Sequence, residues 1–196
     1  MIPSVRLPYR KITAAGFCFA AIVLRYGIAL GQQPRRPCAE EVTKPLLEVA
    51  LDTHLQETDP VRVRGAIQEL GQKRCVEVID DLVSVLTFRF PYPKDANEPG
   101  AGLQPIFTGS RYPATGALFA IGTPALPSLL KVIETYDAGS LEAKNARYTG
   151  RTIFREEPTD ADKFFKAAAA KARTREAKQR LLKALETPES DDFKSD

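Results

Sequence analysis

Histidine and tryptophan are nearly missing from this sequence: its 196 residues hold one His, no Trp, three Cys and a single Met at position 1. His54 alone cannot supply the multi-histidine ligand set of a catalytic zinc site, and no Cys-x-x-Cys pair offers thiolates instead, so neither a metal site nor a bound cofactor is expected. Long apolar runs are missing as well. The stretch Ile12 to Leu24 has 13 residues, where a membrane-crossing helix needs about 20. Alternating apolar and polar residues with hairpin turn chemistry are absent, which excludes a sheet protein and leaves an all-α class. The composition, 43% hydrophobic and 27% charged, fits neither a disordered chain nor a polytopic membrane protein. The length suits one domain with a core of its own.

Residues 1–31 read as an export signal. Arg6, Arg10 and Lys11 precede the apolar run, and Ala29 and Gly31 are the small residues that signal peptidase requires. Cleavage is expected near Gly31/Gln32, which gives a periplasmic or secreted protein with no membrane span after cleavage. An uncleaved anchor is the rival reading. The signal also carries most of the chain's basic balance. The formal net charge of +3 includes four cations and no anion before Gln32, and the remainder has 24 Lys+Arg against 25 Asp+Glu.

Export changes the meaning of the cysteines. Cys18 leaves with the signal, and Cys38 and Cys75 remain in a compartment where disulfides persist. A Cys38–Cys75 bridge is expected, with both residues at the starts of parallel, neighbouring helices; two buried thiols are the alternative.

Helical spacing recurs through the rest of the chain. Val42, Leu46, Val49, Ala50 and Leu55 mark a capping helix over 39–56. Asp59-Pro60 supplies an N-cap and a proline at the first helical position. Val63, Ala66, Ile67 and Leu70 form a stripe that Gly71 ends, and Val76, Ile79, Leu82, Val83 and Leu86 form the next, making a helix pair over 60–88. A second pair is expected over 111–136, with Ala117, Leu118 and Ile121 before Gly122, and Leu126, Leu129, Leu130 and Ile133 after Pro124. Between the pairs, 89–110 holds four prolines and three glycines and reads as a loop, either functional or a tolerated insertion. Capping helices over 140–187 follow, with Thr159 and Thr174 as N-caps, and 188–196 is expected to be a disordered acidic tail.

Gly65-Ala66-Ile67-Gln68-Glu69-Leu70-Gly71 aligns with Gly116-Ala117-Leu118-Phe119-Ala120-Ile121-Gly122, and each segment is followed by a leucine-rich amphipathic helix. On these residues the stretch 40–136 resembles HEAT repeats of the short bacterial type. The arginine usual at the start of such a repeat has candidates in Arg62 and Arg64 of the first unit and no counterpart in the second. The resemblance implies an α-α superhelix, a right-handed solenoid of stacked helix pairs over 32–187. It implies a protein- or peptide-binding scaffold, with an enzyme-accessory or phycobilin-lyase-like role as the alternative.

No catalytic constellation emerges, so no enzymatic activity is expected. His54 lacks a partner Ser or Cys in a recognisable motif, and the neighbours Asp80-Asp81 and Glu40-Glu41 diverge by about 100° on a helix. The one electrostatic feature is the segment 163–183. Lys163, Lys166, Lys171, Arg175, Lys178 and Lys183 are its candidate anion-binding residues, joined by Arg173 and Arg180 against a single Glu176. Base-stacking aromatics are scarce, so nucleic acid is not the expected partner. The acidic tail can also neutralise this segment within the chain.

Overall fold

A computed structural model describes residues 38–91 and 111–186. The stretch expected to be an export signal with its cleavage point, most of the Pro/Gly-rich segment 89–110 and the stretch expected to be an acidic tail lie outside the described residues. Among those described, nine α-helices and two single turns of 3-10 helix occur and no strand, so the chain is all-α. They are α1 (Glu40–Leu51), α2 (Thr53–Thr58), α3 (Pro60–Gln72), a 3-10 turn (Val76–Val78), α4 (Ile79–Ser84), α5 (Pro113–Ile121), a 3-10 turn (Thr123–Ala125), α6 (Leu126–Thr135), α7 (Leu141–Ile153), α8 (Pro158–Lys171) and α9 (Arg175–Lys183).

The segment expected as one helix over 39–56 is two. Asp52 interrupts it, because its carboxylate accepts from the backbone N–H groups of His54 (2.9 Å) and Leu55 (3.1 Å) and so caps a new helix. His54 is therefore an exposed first-turn residue of α2. Val42, one of the apolar residues that mark this helix in the sequence, is 37% exposed, and the buried residues of α1 are Thr43 and Ala50. Asp59 caps α3 through the Arg62 N–H, with Pro60 at the first position.

α3 does not end at Gly71. It runs to Gln72 and closes in a Schellman arrangement, in which the Cys75 N–H reaches Leu70 O and the Arg74 N–H reaches Gly71 O. Arg74 occupies the left-handed position with φ 55°. Gly71 has a different role, since a Cβ there would lie 2.5 Å from the Cα of Ala117. Its lack of a side chain lets α3 and α5 approach backbone to backbone. At the aligned position, Gly122 does make the turn, at φ 85°.

The second helix of the first unit is also shorter than its stripe. Val76–Val78 is a 3-10 turn, and α4 stops at Ser84. Both units thus run helix, 3-10 turn, helix, and their buried residues correspond: Ile79 with Leu126, Leu82 with Leu129, Val85 with Val132, and Leu86 with Ile133. The first helices pack in the order α1, α3, α5, α7, and α4 packs on both helices of the following unit.

Cys38 and Cys75 are disulfide-bonded. Cys38 lies two residues before α1, and Cys75 stands at the N-cap of the 3-10 turn that leads into α4, so the bridge joins the two helix starts.

The ends of the long loop meet. The Phe90 N–H donates to Arg111 O at 2.8 Å, Phe90 is buried, and the Arg64 guanidinium lies 4.6 Å from the centre of its ring.

The stretch expected to hold capping helices, 140–187, contains α7, α8 and α9 among its described residues. α6 is covered by α7 and by α9, while α8 packs chiefly on α9. α8 begins at Pro158 with Glu157 at the N-cap position, so Thr159 lies inside the helix; Thr174 caps α9 through the Ala177 N–H. Side chains cross-link these helices. Asn145, fully buried in α7, donates to Leu86 O at 2.9 Å beyond the end of α4. Arg180 donates to Glu134 O and Thr135 O, and Arg151 donates to Ala184 O. Each arginine brings a cation to carbonyls that a helix C-terminus leaves without intrahelical partners.

Candidate functional site

The second helices of the two units expose polar residues on one side, and two hollows open there. One, of about 420 Å³, lies among α4, α6 and the start of α7, with Asp80, Ser128, Lys131, Tyr136 and Glu142 in its walls. The other, of about 600 Å³, lies between α4 with its following turn and the α1–α2 junction, with Leu51, Gln56, Phe88 and Arg89. Ser84 and Thr87 line both, so the two hollows adjoin, a trough in two parts.

Its walls carry both apolar side chains and charge. Leu51, in one part, is 38% exposed and Tyr136, in the other, is 45% exposed. Several hydroxyls are already directed into the protein: Ser84 donates to Asp81 O, Thr135 to Lys131 O, and Ser128 to the Asp80 carboxylate at 2.7 Å. The Ser128–Asp80 bond ties α6 to α4 within the wall of this hollow. The one imidazole, His54, lines neither hollow, so this serine has no histidine partner there. Among the described residues no cluster of His, Cys, Asp and Glu could hold a metal ion.

The candidate anion-binding residues fall on α8 and α9. Lys163, Lys166, Lys171, Arg175, Lys178 and Lys183 are all exposed, whereas Ala161, Phe165, Ala169, Ala177 and Leu181 form the buried stripes. The structure does not leave all eight cations of the segment equivalent. Arg180 is committed to the end of α6 and to Asp137. Lys163 pairs with Asp160 at 2.7 Å, and this hydrogen bond raises the ammonium pKa and holds the Asp160 carboxyl below the usual range. Glu157 is raised, first by its hydrogen bond to Asp160 and then by repulsion from that carboxylate. What remains on these faces is cations on long, exposed stems.

Sequence reasoning missed the trough because no single segment encodes it. Asp80 and Ser128 sit on different helices, and only the stacking of one unit on the next brings them together. The available signal was the alignment of the two units, which places polar, outward positions of both second helices in one row. No protein-family model matches the chain, and neither a curated protein nor a solved structure matches it. Among the described residues no single helix is long and apolar enough to cross a membrane.

Proposed function

We propose that this is an exported, non-enzymatic helical-repeat scaffold of the HEAT-like superhelical type that grips a protein or peptide segment in the trough across α4, α6 and the α1–α2 junction. The observation that supports the reading is the adjacency of the two hollows, which share Ser84 and Thr87. Adjoining hollows that offer exposed apolar side chains and charged groups of both signs suit an extended chain, which offers side chains and backbone polar groups along its length. The Cys38–Cys75 bridge supports an oxidising compartment, and hence export, because such bonds persist there.

Affinity capture from the exported fraction tests the reading with three baits: the native chain, Tyr136→Asp, and Lys178→Glu as a surface control. A partner held in the trough is retained by the native chain and the control and lost from Tyr136→Asp. Equal recovery by all three, or recovery by none, contradicts it.

A further inference from the structure

A separate hollow of about 360 Å³ opens between α5 and α7 and shares no lining residue with the trough. Its space comes from small residues: Thr115 and Gly116 on α5, and Thr149 and Thr152 on α7. Phe119 and Tyr148 supply aromatic walls, and Arg155 belongs both to this hollow and to an adjoining one of about 240 Å³. A dry cavity of about 150 Å³ already holds a benzene ring, so a substituted ring fits here.

The polar groups are polarised from floor to mouth. Thr115 and Thr149 are buried at 2% and 1% exposure. Each threonine hydroxyl donates its proton to a carbonyl of its own helix segment: Thr115 to Tyr112 O (2.8 Å), Thr149 to Asn145 O (2.7 Å) and Thr152 to Tyr148 O (2.8 Å). With the hydrogen engaged, each oxygen can only accept. The mouth has the opposite character. The Arg155 guanidinium lies 5.1 Å from the centre of the Phe119 ring, and its ion-pair contact is with the adjacent Glu156 at 3.9 Å, both side chains being largely solvated at 65% and 87% exposure. Arg151, one turn earlier, is committed to Asp162 and Ala184 O. Arg155 is thus the cation positioned to meet an incoming anion.

We propose that this hollow binds small hydroxyaryl carboxylates, with the ring between Phe119 and Tyr148, the carboxylate on Arg155, and the hydroxyl donating to a threonine oxygen of the floor. A ligand ammonium at the mouth is repelled by Arg155, and a ligand offering only acceptors to the floor finds no donor among the three threonine hydroxyls. An aromatic ring with an anion at one end and a donor at the other matches both ends.

The test uses the full disulfide-bonded chain, with 4-hydroxyphenylacetate as the probe and 2-(4-hydroxyphenyl)ethanol as its uncharged analogue. Threonine methyl NMR shifts are the readout. The expected result is saturable shifts at Thr115, Thr149 and Thr152, with Arg155→Gln weakening the carboxylate roughly tenfold or more and the alcohol less than about twofold. Arg155 is exposed, so the variant is expected to melt with the native chain, and its melting curve is recorded alongside. No saturable shift by about 10 mM probe, equal weakening of both compounds, or unchanged carboxylate binding in Arg155→Gln overturns the proposal.

Discussion

Replacing Cys38 and Cys75 together by alanine removes a cross-link between residues separated by 37 positions. For a loop of that length the chain-entropy relation gives about 13 cal/mol/K, or about 4 kcal/mol at 25 °C, of lost constraint on the unfolded chain. Cys75 is fully buried in the core, so truncating it adds a packing loss of about 1 kcal/mol. In a domain of this size each kcal/mol moves the melting temperature by about 2–4 °C. The variant is therefore expected to melt about 10–20 °C below the native chain. Urea denaturation of three samples separates the contributions: the oxidised native chain, the same chain under reductant, and the double variant. Reduction should cost about 4 kcal/mol, and the variant about 1 kcal/mol more. Stabilities that agree within about 1 kcal/mol between the oxidised and reduced chains would refute the reasoning, because the bridge would then constrain little that the unfolded chain does not already restrict.

Gly71→Ala forces a Cβ against the backbone of Ala117, and should cost about 2–3 kcal/mol by chemical denaturation, as over-packing at a rigid contact does. Arg74→Gly relieves a left-handed residue in the α3 cap and should raise stability by about 1 kcal/mol, since the Schellman hydrogen bonds come from backbone that glycine retains. A carboxyl-detected NMR titration should find Asp160 below and Glu157 above the ordinary range, and Lys163→Gln should raise both. The depressed Asp160 contributes stability above its unfolded pKa that is lost as pH falls through its folded value. The raised Glu157 contributes stability below its unfolded pKa that is lost as pH rises through its folded value. The two oppose each other, so this cluster should not drive acid unfolding.

The helices whose apolar stripe coincides with a strong cap were legible in the sequence. Asp59-Pro60 opens α3 and Thr174 opens α9, each at the place its chemistry indicates. Where local hydrogen bonding competes with periodicity, the reading failed. Asp52 sits inside a run of correctly spaced apolar residues, yet its side chain captures two backbone donors and splits the helix. Gly71 looked like a terminator because glycine ends helices more often than it serves as a contact point, and only the position of Ala117 distinguishes the two. The basic segment was visible as composition, but nothing in the spacing separates Arg180, which caps α6, from Lys166, which faces solvent. The trough and the hollow beside Arg155 are made by residues from several helices, buried ones such as Thr149 and Leu86 together with exposed ones such as Arg155 and Tyr136. Hydrophobic periodicity places the stripes that stack the helices and carries no signal for the residues left outside them.

The central claim is that the trough holds a partner segment, and photo-crosslinking from single positions tests it most directly. A benzophenone side chain is placed in turn at Thr87, Lys131 and Thr135 in the trough, and at Val61 and Lys178 outside it. The account predicts one adduct of discrete mass from the trough positions, none from the outer two, and its loss when Tyr136→Asp is added. Adducts of equal yield from all five positions, or from the outer two alone, would contradict it.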